Sequence, residues 1–243
     1  MKEDKDAYGQ EVWSAFNGKE SYEVVEREDG FMGLSGGAKN YFAEFKDWPK
    51  WQKQAIKFAK GKVLDIGCGV GRVGLYLQKK GFDVTSIDNS PLAIKVCKKR
   101  RLKKAIVMPI EKINKFGNNS FDTIVMFGNN FGLLKNFKEA KKLLKVFYKI
   151  TSPDALIIAE SNDPYKTNDP VHLAYHKFNK KRGRMVGQLK IRVRFKNYIG
   201  DWFDYLLVSK KEMKHILNGT GWRVKKYIES GKHMYTAIIV KSK

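Results

Sequence analysis

Cysteine is scarce in this 243-residue chain, with only Cys68 and Cys97 present. Two thiols cannot build a disulfide framework, so the fold must rest on its apolar core. Cys68 sits inside a run of glycines, where a small buried side chain is all that is needed. Long hydrophobic runs are missing as well, and no stretch approaches the roughly 18–20 apolar residues of a membrane span. The opening "MKEDKDAYGQ" is charged and lacks the apolar middle of a signal peptide. A cytoplasmic protein with no membrane partner is therefore expected. There are no internal repeats or low-complexity tracts. A hydrophobic content of 42% fits a globular chain, and the length suits one α/β domain with small additions.

Acidic residues are few. Lys and Arg total 48 against 25 Asp and Glu, a net charge of +23. Such a basic balance suits a polyanion such as RNA, or simply a lysine-rich surface. The lysines are spread along the whole chain, while residues 1–30 hold nine acids and four bases.

From Lys62 onward the pattern becomes periodic. "KVLDIG" is a short buried strand, and "GRVGLYLQKKG" is a helix with a glycine end. "FDVTSID" is the next strand. "SPLAIKVCKKR" starts with Ser90 as N-cap and Pro91 in the first turn, and it ends on basic residues. "KAIVMPI" and "FDTIVMF" predict a third and a fourth strand. "FKEAKKLLKVFYKI" is an amphipathic helix with Phe137, Ala140, Leu143, Leu144 and Phe147 on one stripe. "TSPD" is expected to break it, before a fifth strand in "ALIIAES". A helix beginning at Ser209 and two more strands, "WRVKKYIES" and "MYTAIIVKSK", follow. Strands alternating with helices imply a parallel sheet covered on both faces. Residues 1–61 and 161–200 fall outside this alternation. The first holds a helix, a loop "GFMGLSGGAKNYF" and a second helix around Trp51. The second interrupts the pattern after strand five.

Gly67, Gly69 and Gly71 follow the first core strand directly, so backbone there can approach a ligand closely. Asp88 ends the next strand, 21 positions after Gly67, where a carboxylate can accept both hydroxyls of a ribose. A dinucleotide would bring its pyrophosphate to this turn, and Asp65 beside it would repel that charge. A cofactor with an ammonium, a sulfonium and no phosphate is favoured instead, and S-adenosylmethionine (SAM) has that chemistry.

"VLDIGCGVGRVGLYL" with "VTSIDNS" resembles the glycine-rich motif and second-strand acid of the class I SAM-dependent methyltransferases. "SFDTIVMFGNNFGLL" resembles their fourth-strand motif. The resemblance covers residues 61–160, and the C-terminal hairpin also fits. It implies an α/β, Rossmann-like, doubly wound and mostly parallel seven-stranded sheet with an antiparallel C-terminal hairpin. Residues 1–243 would form a single methyltransferase domain, with 1–61 as a cap segment and 161–200 as a substrate-side insertion. The resemblance also implies roles. Asp65 would orient the methionine amino group through the turn, with Gly67, Cys68 and Gly69 under the methionyl part. Asp88 would hold the ribose, with Asn89 beside the adenine. Pro109 stands where many relatives carry an acid that reaches the adenine. That leaves the Ile110 backbone and Glu111 as adenine contacts, or Glu111 as a solvated loop charge. Gly128 and Asn129 would face the reaction centre, and S-adenosylhomocysteine would be the product.

Methyl transfer needs a nucleophile held in line with the methyl carbon and stripped of water. Amide oxygens that accept N–H bonds leave an amine's lone pair free, and "FGNNFGLL" offers Asn129 and Asn130. The N-P-P-aromatic motif of base-methylating relatives is absent. The stretch is closer to the "GNS-F" type of glycine N-methyltransferase-like enzymes. The segment from Ser161 to Tyr198, with "DAYG", "GGAKNYF" and "DWP", resembles a branch of the class whose acceptor the resemblance does not supply. In "KIRVRFK", Lys190, Arg192, Arg194 and Lys196 alternate with Ile191, Val193 and Phe195. The basic face is either a solvated edge or, with Arg182 and Arg184, a site for an anionic substrate. His172 and His176 stand at i,i+4 spacing, but without further ligands no metal is expected. His172 is instead a candidate general base, and His176 a candidate substrate contact. Asp163 and Tyr165 follow strand five as candidate pocket residues. Tyr41 and Phe42 either close over the cofactor or belong to the core.

The expected activity is methyl transfer from SAM to a small, anionic or amine-bearing metabolite. RNA or protein methylation is the rival that the net charge favours. A non-catalytic SAM or dinucleotide binder is the third reading. The sequence leaves the oligomeric state open.

Overall fold

The computed structural model describes residues 3–242. The first helix, α1 (Ala7–Phe16), is capped by Asp6, whose carboxylate accepts from the Gly9 N–H. Strands β1 (Val24–Arg27) and β2 (Met32–Leu34) form an antiparallel pair. Two short helices follow, α2 (Gly37–Tyr41) and α3 (Lys50–Ala55). The periodic core then runs β3 (Val63–Ile66), α4 (Arg72–Lys79), β4 (Val84–Asp88), α5 (Pro91–Lys99), β5 (Ala105–Val107) and β6 (Phe121–Met126). After it come α6 (Phe137–Ile150), β7 (Thr151–Asn162), α7 (Pro170–Lys181), β8 (Gln188–Phe195), β9 (Tyr198–Ile199) and β10 (Phe203–Leu206). The chain ends with α8 (Lys210–Leu217), β11 (Trp222–Glu229) and β12 (Met234–Lys241).

Seven strands form one sheet in the order β11-β12-β7-β6-β3-β4-β5. From β7 to β5 it is parallel, and β12 and β11 are antiparallel, as the alternation and the C-terminal pair predict. A second sheet has the order β10-β8-β1-β2, with β9 paired to β8.

Several local predictions hold for the reasons given. Ser90 caps α5 by accepting from the Ala93 N–H at 3.0 Å, with Pro91 in the first turn. Ser209 and Glu212 form a reciprocal capping box on α8. The stripe on α6 buries Ala140, Leu143, Leu144 and Phe147, each larger side chain contributing about 1.5–3 kcal/mol.

Three expectations need correction. "TSPD" does not separate α6 from the next strand, because β7 already begins at Thr151. The pairing register jumps from Phe121↔Thr151 to Thr123↔Leu156, so Pro153 lies in a bulge that demands no ladder donor. The loop "GFMGLSGGAKNYF" contains β2 and α2. Glu11 accepts from the Ala38 N–H at 3.2 Å and so caps α2 from 27 positions away, a contact no local pattern reveals. Strand β8 is no edge, since it lies between β10 and β1, and Lys196 leaves the strand with φ 52.

By internal contacts the chain divides into two compact units. One comprises the described residues up to Trp48, Asp65–Ile110 and Lys190–Phe203. Its core packs Val12 of α1 against Val70, Ala93 and Val96, with a second cluster of Cys68, Ile94, Cys97, Leu102 and Ala105. The other comprises Pro49–Leu64, Glu111–Leu189 and the described residues from Asp204 onward. Its core includes Leu144 and Trp222, whose indole N–H donates to the Leu144 carbonyl at 2.9 Å. Among the described residues, no helix is long and apolar enough to cross a membrane.

Candidate active site

In the first unit, β3 ends in the glycine turn. Gly67, Gly69 and Gly71 have φ of 68°, 54° and 81°, the left-handed region that glycine enters without strain. The Gly67 and Cys68 N–H groups donate to the Ile87 carbonyl, which ties the turn to β4. Asp88, at the end of β4, accepts from the Gly69 N–H and the Ser90 N–H, both at 2.9 Å. A carboxylate has about four lone-pair sites, so these backbone bonds leave capacity for a ligand's hydroxyl. Burial raises the Asp88 pKa, opposed by backbone bonds from Ser90, Gly69 and Asn89. Asn89 is exposed and Ile110 is buried. In the second unit Glu111 is ion-paired to Lys135 on an exposed surface.

Asp65 is 2% exposed, and burial pushes its pKa up to about 7. Arg72, the Gly74 N–H and the Ser86 hydroxyl, 3.4 Å away, pull it back part of the way.

Sequence reasoning missed Tyr8. A Cβ built on Gly69 would lie 2.4 Å from the Tyr8 hydroxyl, so α1 lays that hydroxyl directly on the glycine turn. Tyr8 packs edge-on against Tyr41 at 5.2 Å, and the Tyr41 hydroxyl donates to Glu23 at 3.1 Å. Burial, together with Tyr41 and Asp88, holds the Tyr8 phenol protonated and available as a donor. The cap signal at Asp6 could have placed Tyr8 in the first turn of a helix. Phe42 instead packs against Phe16 and beneath the Arg100 guanidinium.

The basic face of β8 is already engaged in the same unit. Arg192 donates to Glu26 at 2.6 and 3.0 Å, and Arg194 bonds the same carboxylate. These bonds lower the Glu26 pKa to about 2. Arg192 also stacks over Trp202 at 4.4 Å.

In the second unit the turn after β6 is held from below. Gly128 and Asn129 adopt φ of 72° and 66°, and their N–H groups donate to Glu160 Oε2 at 2.7 and 3.4 Å. Asparagine is among the few residues with a side chain that enter this region readily. Glu160 is fully buried and also accepts from Trp51 Nε1 at 2.7 Å and Gln52 Nε2 at 2.8 Å. The Tyr205 hydroxyl donates to the Asn129 carbonyl at 2.7 Å. Asn130 opens the short 3-10 turn Asn130–Leu134. Glu160 went unnoticed in the sequence, although an acid inside the apolar "ALIIAES" was the available signal.

The other predicted residues lie after β7, on α7 and just beyond it. The Tyr165 hydroxyl donates to Glu212 at 2.9 Å, and burial followed by that bond pushes its pKa up to about 12. Asp163 accepts from the Tyr165 N–H, and His176 stands 6.4 Å from the Tyr165 ring. His172 lies one turn earlier on α7, half-buried. Arg182 is exposed and stacks over Phe178, and Arg184 is half-buried. No group of three or more His, Cys, Asp or Glu able to hold a metal occurs among the described residues.

Known proteins share the sequence core and the fold. A methyltransferase-domain family model matches residues 64–159. A SAM-dependent methyltransferase from Bacteroides fragilis, solved in complex with S-adenosyl-L-homocysteine, superposes with a TM-score of 0.85 at 25% identity. That match covers 100% of this chain and 98% of that one. Putative methyltransferase YqeM of Bacillus subtilis is 23% identical over 128 residues, 51% of each chain. Glycine/sarcosine N-methyltransferase of Halorhodospira halochloris is 28% identical over 107 residues, 42% of this chain and 40% of that one. The chain spans about half the length of the first curated relatives it matches. The residues fit SAM: a turn that tolerates no side chain at Gly69, a buried carboxylate near the end of β3, and a second at the end of β4 with capacity for a hydroxyl. In its motif-bearing core and in its fold the chain is similar to the class I, Rossmann-like SAM-dependent methyltransferases.

Proposed function

We propose that this protein transfers the methyl group of SAM to a small-molecule acceptor. The observation that carries this reading is the pair of buried carboxylates around the glycine turn. Asp65 and Asp88 favour a cationic, phosphate-free cofactor over a dinucleotide. SAM supplies a methyl group made electrophilic by its positive sulfur.

The remaining work belongs to the protein. Asp88 accepts the ribose hydroxyls, with Asn89 and the Ile110 backbone toward the adenine. Asp65 draws the ammonium group through the turn. The Tyr8 phenol donates from above Gly69. The turn at Gly128 and Asn129 presents its amides to the acceptor. Because methyl transfer forms no covalent enzyme intermediate, these groups act by orienting and desolvating. An acceptor small enough to be enclosed suits that task, and the glycine/sarcosine relative acts on a substrate of that size.

Asp88→Ala should weaken SAM binding at least tenfold in calorimetry, the loss expected for charge-assisted hydrogen bonds. Circular dichroism should be unchanged. An unaltered affinity would remove Asp88 from the site.

A further inference from the structure

Glu160 takes four donors, yet two of the amides around it keep an oxygen without a partner. Gln52 is 5% exposed, and its Nε2 is committed to Glu160 Oε2. That commitment fixes the amide orientation and turns Oε1 away from the carboxylate, where it meets no hydrogen-bond donor of the protein. Asn129, whose N–H bonds the same carboxylate oxygen, likewise has a buried Oδ1 with no donor. Buried amide oxygens are almost always hydrogen-bonded in folded proteins. Gln52 is tied to Glu160 by its side chain and Asn129 by its backbone N–H, at a turn that follows a parallel strand, and their two oxygens suit a ligand that brings two N–H groups.

We propose that Gln52 Oε1 and Asn129 Oδ1 bind the N–H groups of a primary amine, which is the methyl acceptor, and that Glu160 is the positioning residue, acting through the Gln52 side chain and the Asn129 backbone. This rests on the methyl-transfer reading above. The chemistry selects nitrogen, because an alcohol brings one O–H, and a carboxylate brings none and would be repelled by two carbonyl oxygens. Arg192 and Arg194, the groups that would have served an anionic acceptor, are held by Glu26.

The step balances. The neutral amine's lone pair forms the new N–C bond, the electron pair of the breaking C–S bond returns to sulfur, and the product is an N-methylammonium. Nitrogen keeps both hydrogens, and its growing positive charge strengthens both bonds to the amide oxygens. The two amides therefore bind the transition state more tightly than the ground state.

The test uses the full chain with methyl-labelled SAM and the small-molecule fraction of a cell extract. The fraction is assayed untreated and after acetylation of its amines with acetic anhydride. Acetylation should lower labelling at least tenfold, and mass spectrometry should find an N-methylated product. Gln52→Leu should lower kcat/KM for the labelled acceptor at least tenfold, with the SAM Kd within twofold of wild type. Glu160→Gln cannot accept from all four donors and should lower kcat more than it raises KM. Labelling that survives acetylation, or an O-, C- or S-methyl product, overturns the proposal while leaving methyl transfer intact. If SAM binds but no fraction is labelled, methyl transfer itself fails and this inference falls with it.

Discussion

Asp65 is a carboxylate that its surroundings do not fully stabilise in the charged form. Burial pushes its pKa up to about 7, whereas an aspartate in the unfolded chain titrates near 3.9. Between roughly pH 4 and pH 7 the native state therefore holds more protons than the unfolded one. Its contribution to stability is complete below about pH 4 and is lost as pH rises through 7. A group that weakens the fold at neutral pH fits a site built for a positive ligand. A cationic cofactor should pull the Asp65 pKa down, so binding should release protons. At about pH 6.5, calorimetry of SAM binding in buffers of different ionisation enthalpy should show that release. Asp65→Asn should shrink it and raise the melting temperature at about pH 8. Equal binding enthalpies in every buffer would sink the idea.

At the level of elements, Asp6 joins two helices. Its carboxylate caps α1 through the Gly9 N–H at 2.9 Å and accepts from the Ser90 hydroxyl at 2.7 Å and the Leu92 N–H at 3.2 Å, at the start of α5. Asp6→Ala removes the cap and leaves buried donors unpaired. It should cost about 2 kcal/mol, which lowers the melting temperature by roughly 4–8 °C in a chain of this size. Gly9→Ala should do the same despite alanine's better helix propensity, because its Cβ would lie 2.2 Å from the Asp6 carboxylate. A Gly9→Ala protein as stable as wild type would show that the contact is not needed. Asp6 also marks the limit of what the sequence could say. Elements set by their own periodicity and caps, such as α5, α6 and α8, were legible, and so was the glycine turn with Asp65 and Asp88. Elements set by distant partners were not. Strand β2 and helix α2 depend on β1 and on Glu11, and the Glu160 cluster gathers residues from positions 51 to 160. Tyr8 shows the same limit, since only tertiary packing brings its hydroxyl to Gly69.

For the whole molecule, the net charge of +23 is the property that reads most like nucleic-acid binding. The lysines that carry it are spread along the whole chain rather than gathered in one segment. The two β8 arginines face Glu26, while Lys104 and Lys210 pair with Asp83 and Glu229. Exposed pairs such as Lys104 with Asp83 contribute at most about 1 kcal/mol each. Dispersed cations attract RNA by releasing counterions, without specificity and with steep salt dependence. Bulk tRNA should therefore bind at about 50 mM salt and lose at least tenfold in affinity by about 200 mM. At the higher salt, saturating tRNA should leave methyl transfer to the small-molecule fraction within twofold, and RNase should leave the label where it was. If the label instead proves RNase-sensitive, the small acceptor is the wrong substrate and the charge is part of the recognition.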